Sequence, residues 1–338
     1  MITKHPSRRG LVRAFVASGV VLGLWAGGAA QAADPVTIRI STPAVPSDWH
    51  AEMLNIFEKQ VEDALPGRFD VQVFLNATLF KQGAEVTAMQ RGNLDMGLPS
   101  AQDFSNQIPA WSIFTAGYLI RDPEHQQKVF ASEVGEEMYG LVEEQMGIKV
   151  LGVAYLGTRQ LNLRDQREVS TPADLEGVKL RMPGSDAWQF LGEALGASPT
   201  PLAFNEVYLA LQTGTIDAQD NPLPTDQKAK FYEVTEQIVL TGHLVDGVFL
   251  AISKETWDEL DAEAKEIFEQ AAAAAIAFNN ENRIADEEQL VEFFKNEGLA
   301  VTEPDRDAFR QHVQEAYLAS DLSNDWPDGM VERINAIR

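Results

Sequence analysis

The 338-residue chain contains no cysteine, which removes disulfide scaffolds, thiolate metal sites and cysteine nucleophiles together. Positive charge is scarce: 27 Lys and Arg stand against 51 Asp and Glu, a formal charge of −24. So acidic a chain argues against nucleic acid or anionic lipid as the main partner. Beyond the N-terminal segment the longest apolar run is Ala271 to Phe278, far short of the ~20 residues of a membrane-spanning helix. Enzyme signatures are missing too. There is no Gly-x-Ser-x-Gly elbow, no P-loop and no His-Glu-x-x-His. No Gly-x-Gly-x-x-Gly turn follows the first strand, so a dinucleotide is not expected. His50, His125, His243 and His312 lie at no ligand spacing to one another and read as surface or loop residues rather than metal ligands. Asp321-x-Ser323-x-Asp325 with Glu332 only loosely resembles a calcium loop, because Trp326 stands where the turn needs glycine. It reads as a C-terminal turn, and no metal or cofactor is expected.

What is present is the balance of a globular protein, 45% apolar and 23% charged, long enough for two domains. Residues 1–32 read as a signal peptide. Lys4, Arg8, Arg9 and Arg13 form a basic region, Ala14 to Ala30 an apolar one, and Ala30-Gln31-Ala32 a cleavage site before Ala33. Ser7-Arg8-Arg9-Gly10-Leu11-Val12 also resembles a twin-arginine signal, and the export route stays open. Removal of this segment takes four basic residues and no acidic one, leaving a more acidic mature protein that is expected in the periplasm.

Along the rest of the chain β-type runs alternate with helical ones. Val36 to Ser41 reads as a strand, and Met53, Leu54, Phe57 and Val61 mark one face of a helix. Phe69 to Phe74 alternates as a strand, Glu85 to Gly92 reads as a helix, and Leu94 to Leu98 as a short strand. This is the start of an open sheet with helices on both faces. A second unit begins near Gly152. It has a strand over Val178–Met182, a helix over Trp188–Leu195 and a small-residue and proline loop over Gly196–Pro201. A helix over Glu206–Thr213 and a strand over Ile216–Gln219 follow. Asp217 and Asp220 form a possible acid–base pair but suit turn and domain-crossing positions better, with Asn221-Pro222 following. Phe249 to Ser253 reads as a buried strand. From Asp261 to Asn296 there is no proline or glycine, and ~36 residues of helix reach about 54 Å, enough to cross between two lobes.

One segment is far more specific. Gly177-Val178-Lys179-Leu180-Arg181-Met182-Pro183 is followed by Gly196-Ala197-Ser198-Pro199-Thr200-Pro201-Leu202-Ala203-Phe204-Asn205-Glu206-Val207-Tyr208-Leu209-Ala210-Leu211-Gln212-Thr213-Gly214, and then by Ile216-Asp217-Ala218-Gln219-Asp220-Asn221-Pro222-Leu223. Together with Gly157-Thr158-Arg159-Gln160 and Lys230-Phe231-Tyr232-Glu233-Val234, this resembles the solute-binding proteins of tripartite ATP-independent periplasmic (TRAP) transporters, the DctP family. The resemblance spans essentially the whole mature chain. It implies an α/β, two-lobed periplasmic binding protein fold with open mixed sheets and a long helix contributing to both lobes. Residues 33–156 plus 247–286 would form lobe I, and 157–246 plus 287–338 lobe II. It further implies one small and one large membrane subunit as partners and a small organic anion as ligand, with no enzymatic activity. A periplasmic lyase or hydrolase on a similar scaffold, and the receptor of an ATP-driven importer, are the alternatives.

By the same resemblance Arg181 makes a bidentate salt bridge to the ligand carboxylate, a role that suits a planar guanidinium on a strand end. Asn221 donates an amide hydrogen bond to the anion, Phe204 supplies an apolar wall and Arg159 a second positive group. Asp220 and Gln82 are placed with them as ligand-contacting residues, Gln82 from the other lobe. Glu206 suits a structural place at the start of its helix. In sialic acid members, acidic side chains of the first lobe hold the sugar's tail. The corresponding loops here, Leu79-Phe80-Lys81-Gln82 and Gly97-Leu98-Pro99-Ser100, carry no carboxylate, and Glu85 and Asp103 lie displaced from them. Lys81 could meet a second anionic group, which favours a small dicarboxylate, or be a solvated lysine. Trp49 and Trp111 either line the pocket or belong to the core.

Overall fold

The computed structural model describes residues 34–338; the expected signal peptide lies outside the described residues. Strand β1 (Val36–Ser41) leads through a Pro-containing turn to helix α1 (Trp49–Ala64). Met53, Leu54, Phe57 and Val61 are fully buried along one α1 face, as their spacing requires. Strand β2 (Phe69–Phe74), helix α2 (Glu85–Gln90), strand β3 (Met96–Gly97) and helix α3 (Ala101–Ser105) complete the first βαβα run. Helices α4 (Pro123–Phe130) and α5 (Glu133–Met146) follow, each capped by the side chain that precedes it, Asp122 and Ser132.

Strand β4 (Ile148–Leu163) is 16 residues long and enters the second half of the molecule. That half holds strand β5 (Lys179–Met182), helix α6 (Asp186–Ala194), strand β6 (Ser198–Pro201), helix α7 (Val207–Thr213), strand β7 (Ala218–Pro222) and helix α8 (Leu223–Lys228). The 17-residue strand β8 (Gln237–Ser253) returns antiparallel to β4. Helix α9 (Lys254–Glu259) and the 35-residue helix α10 (Ala262–Asn296) come next, then strand β9 (Ala300–Thr302) and helices α11 (Arg306–Ala319) and α12 (Met330–Ala336).

The strands form one nine-stranded mixed sheet in the order β2-β1-β3-β8-β4-β7-β5-β6, with β9 beside β8. The mixed sheet is continuous, because β4 and β8 run through both halves and join them. Two corrections concern the second half. The proline loop is an edge strand, β6, parallel to β5. Proline is tolerated there because an edge strand can leave one side unpaired. The strand after it is shifted toward the C-terminus, so Asp220, Asn221 and Pro222 lie within β7 rather than in a turn.

Helix α10 is capped by Asp261, whose carboxylate accepts from Ala264 N at 2.9 Å. Its first half packs Phe268 against Phe57 and Phe69, with ring centroids 5.5 and 5.2 Å apart. Its last turns place Leu290 and Phe294 in a separate core with Leu223, Ile238 and Leu299. One helix therefore serves both halves. Helix α12 lies against α4 and α5: Arg333 pairs with Glu137 at 2.6 Å, and His125 Nε2 meets Ile334 O at 3.0 Å. Thus the last nine residues, grouped with lobe II on sequence, contact elements grouped with lobe I. Among the described residues no helix is long and apolar enough to cross a membrane.

Candidate functional site

A cleft opens between the two halves, lined by side chains of both. Its lining lies at the carboxyl ends of the strands, where open α/β sheets place ligands. Thr42 to Ala44 follow β1, Leu98 and Ser100 follow β3, Pro183 follows β5, and Asn221 comes from β7.

Arg181, on β5, is 1% exposed and lines this cleft. Its Nε donates to Leu202 O at 2.8 Å and its Nη2 to Gln82 Oε1 at 2.9 Å. Among the described residues no carboxylate forms an ion pair with it. Burial therefore dominates, and the guanidinium pKa is pushed down to about 9, partly restored by the more distant Asp220. A buried cation without a countercharge is costly to maintain, and an anion arriving in the cleft removes that cost.

Arg159 has the opposite environment. Nε donates to Asp220 Oδ2 at 2.6 Å, Nη1 to Asp246 Oδ2 at 2.9 Å, and Nη2 to Asp220 O at 2.6 Å. The guanidinium also lies 4.4 Å from the Trp188 ring centroid, a cation–π contact. Burial would lower its pKa, but the two carboxylates outweigh it and raise it. Burial likewise pushes Asp220 up, yet Arg159 and the His243 hydrogen bond hold it well below the usual carboxylate range. Arg159 lines the cleft, but its charge is already matched, so it supplies donors and rigidity more than a free positive charge.

Asn221 is 4% exposed; its Nδ2 donates to Gln219 Oε1 at 2.5 Å and its Oδ1 accepts from Arg159 Nη2 at 3.3 Å. Gln219 is itself fixed by Asp226 Oδ1 at 2.7 Å and Asn162 Oδ1 at 3.2 Å. The amide is thus held with one N–H spare. Phe204 lines the cleft with its ring edge-on to Phe231. Gln82 reaches from the first half: its Oε1 accepts from both Arg181 Nη2 and Phe204 N, each at 2.9 Å.

Of the seven sequence candidates, Arg181, Arg159, Asn221, Phe204 and Gln82 converge on the cleft. Two do not. Asp220 is fully buried behind it, paired with Arg159 and with His243 Nε2 at 3.1 Å. Lys81 is exposed and does not line the cleft, so the cation that favoured a dicarboxylate is not there. Trp49 Nε1 donates to Asp286 at 2.6 Å, and Trp111 is packed among Phe104, Phe114 and Phe249; neither lines the cleft. Asp217 caps the start of β5 by accepting from Lys179 N at 3.0 Å and forms no pair with Asp220. Glu206 accepts from Ala203 N at 3.3 Å ahead of α7, the structural place expected of it.

The carboxylates of the first half require a correction. Although displaced along the sequence, Glu85 and Asp103 both line the cleft, as does Asp48. The short helices α2 and α3 turn them inward, which motif alignment along the loops does not register. His50, His125 and His243 are buried rather than superficial. His50 lines the cleft beside Asp48, whose Oδ1 accepts from Arg283 Nη1 at 2.6 Å. Trp188 and Asp246 also line the cleft, without a motif to mark them; the sequence signal for Asp246 is an acid inside the apolar run Leu244 to Ile252. Among the described residues no cluster of three His, Asp or Glu is placed to hold a metal.

The DctP family model, described as bacterial extracellular solute-binding protein, family 7, matches residues 41–321. A sialic acid-binding periplasmic protein of Vibrio cholerae is 32% identical over 77% of this chain and 81% of its own. Among solved structures, a TRAP periplasmic solute-binding protein of Roseobacter denitrificans with bound 3-deoxy-D-manno-oct-2-ulosonic acid is 48% identical, with a TM-score of 0.87. The match covers 90% of this chain and all of that one. A second from the same organism, with bound L-galactonate, is 28% identical over 90% of this chain and 99% of that one, with a TM-score of 0.82.

Proposed function

Because the chain belongs to the DctP family of bacterial extracellular solute-binding proteins, a family of binding proteins and not of enzymes, we propose that it captures a small organic anion in the cleft and delivers it to the membrane subunits of a TRAP transporter. The single observation that carries this reading is Arg181, buried in the cleft wall with no carboxylate in an ion pair with it among the described residues. In this reading the ligand carboxylate takes both outer nitrogens of Arg181, Asn221 adds its spare N–H, and Phe204 covers the apolar side. Lobe I, built from residues 33–156 and 247–286, closes on lobe II through Gln82. Residues 1–32 direct export, and the mature protein works in the periplasm. The acids bound by the Roseobacter relatives support a carboxylate ligand.

A thermal-shift screen of carboxylates, sugar acids and sulfonates identifies the ligand, since one present at ~100 times its Kd adds about 2.7 kcal/mol of stability. Arg181→Lys then separates geometry from charge, because lysine keeps the charge and loses the planar fork. Losing a buried charged pair costs about 2–5 kcal/mol, roughly a 30-fold to several-thousand-fold rise in Kd at 1.4 kcal/mol per decade. Calorimetric titration of the folded variant measures it, and affinity within threefold of wild type removes Arg181 as the anchor.

A further inference from the structure

Resting on the reading that Asn221 donates its spare N–H to the ligand anion, we propose that Asp226, which lies behind the cleft wall, is a positioning residue that acts through Gln219 to fix the orientation in which the ligand meets the Asn221 amide. Three side chains form the relay. Asn221 Nδ2 donates to Gln219 Oε1 at 2.5 Å, and Gln219 Nε2 donates to Asp226 Oδ1 at 2.7 Å. Gln219 and Asp226 are fully buried and do not line the cleft, whereas Asn221 does. Asp226 sits in the first turn of α8, and its neighbour Thr225 accepts from Arg283 Nη2 at 2.7 Å. The relay therefore ends on a helix that Arg283 pins to α10.

An amide carries a donor and an acceptor of almost equal shape, and its partners decide which way each points. Gln219 Nε2 meets two acceptors, Asp226 Oδ1 and, at 3.2 Å, Asn162 Oδ1. Asn162 is turned that way because its own Nδ2 donates to Thr235 Oγ1 at 2.9 Å and to Gln237 O at 3.3 Å. With both of its N–H groups so occupied, Gln219 turns Oε1 to Asn221, which answers with one N–H and keeps the other. Asn221 Oδ1 then meets Arg159 Nη2, which can only donate, at 3.3 Å. That bond is long, and the two short bonds of the set lead back to Asp226. Asp226 forms no ion pair among the described residues, and its Oδ2 has no hydrogen-bond partner there. Burial pushes its carboxyl well above the usual carboxylate range, against the Gln219 hydrogen bond and the Arg159 charge, which favours the neutral form. A neutral carboxyl still accepts through its carbonyl oxygen, and it adds no repulsion behind a site that receives an anion.

Asp226→Asn keeps a neutral acceptor of the same shape and Asp226→Ala removes it, with Asp226→Leu in its place should the alanine variant not fold. One measurement needs no ligand. In protein labelled with 15N asparagine, the side-chain N–H pair of Asn221 is assigned by its loss in Asn221→Ala. Asp226→Ala is expected to shift that pair by more than its linewidth, and Asp226→Asn to return it towards the wild-type position. An unmoved pair in the folded Asp226→Ala protein overturns the proposal. Calorimetric titration with 3-deoxy-D-manno-oct-2-ulosonate and L-galactonate, the acids bound in the two Roseobacter structures, then reads the consequence. Asp226→Ala is expected to weaken the tighter probe about threefold or more, in line with one neutral hydrogen bond, and Asp226→Asn to recover most of it. In the Asn221→Ala background Asp226→Ala is expected to add nothing, because the two act as one unit. Equal weakening in both backgrounds is the mark of a merely structural role and overturns the proposal. Wild-type affinity in Asn221→Ala sinks instead the reading of Asn221 from which it starts. Where neither acid binds, the amide signals alone decide whether Asp226 orients Asn221.

Discussion

Two arginines that read alike in the sequence differ because of their neighbours. Arg159 and Arg181 both sit on strands and both line the cleft, but Asp220 and Asp246 neutralise only the first. Motif resemblance named both; only the paired carboxylates, 61 and 87 residues downstream of Arg159, show which of them keeps an available charge. Glu85 makes the same point for an acid. Its carboxyl holds a proton to about pH 8 when folded, against an ordinary value of 4.5. Between those values the folded state binds a proton that the unfolded chain has released, so Glu85 lowers stability as pH rises through that window. Other raised groups, Asp103 and Asp246 among them, act in the same direction, so the difference between variant and wild type isolates Glu85. The thermal midpoint of Glu85→Gln minus that of wild type, measured without ligand, is expected to grow from pH 5 to pH 8. A constant difference across that range would contradict the raised pKa.

Among the elements, α10 and the β4–β8 pair decide how the halves are joined. Arg283 of α10 is fully buried, with Nη1 on Asp48, Nε donating to Leu156 O at 2.7 Å and Nη2 to Thr225 Oγ1 at 2.7 Å. It ties the start of α1, the middle of β4 and the helix α8 to one side chain. Arg283→Ala leaves the buried Asp48 without its arginine, holding only its contacts to His50, and breaking such a pair costs about 3–5 kcal/mol. Urea denaturation should show that loss, and Asp48→Asn in the same background should recover part of it. Where β4 crosses between the halves, Gly157 adopts φ +134° at a register shift. Glu287 of α10 brackets the crossing, accepting from Thr158 N and from the Tyr155 hydroxyl, each at 2.6 Å. A Cβ at Gly157 would fall 2.4 Å from Pro222 Cβ and 2.5 Å from Glu287 Oε1. Gly157→Ala is therefore expected to destabilise by at least the ~1–3 kcal/mol of a strained backbone site. An unchanged denaturation midpoint would mean the crossing is free to shift.

At the scale of the whole molecule, Gln82 bridges the cleft, its Oε1 accepting from Arg181 Nη2 and from Phe204 N. An anion between the halves adds a charged contact that an open cleft would leave in water, where such pairs contribute little. Ligand binding is thus expected to favour the closed arrangement, and X-ray scattering should give a smaller radius of gyration with saturating ligand than without. Gln82→Ala should weaken binding while leaving the fold intact by circular dichroism. An unchanged radius on saturation would count against closure.

The sequence by itself determined the elements whose information is local: β1 and β2 at their full extents, the buried face of α1, and α10 to within a residue of its observed ends. Periodicity and the lack of helix breakers suffice for these because each residue's environment repeats along its own element. The motif segments also determined the family and four of the residues that line the cleft, Arg159, Arg181, Phe204 and Asn221. Only the tertiary structure decided what depends on distant partners. It made the sheet continuous through β4 and β8, whose 16 and 17 residues run through two environments and so show no single pattern. It also sent Lys81 to solvent and Glu85 and Asp103 into the cleft. Inward or outward direction on a short helix is set by what the helix packs against, and a six-residue segment is too short to carry that information alone.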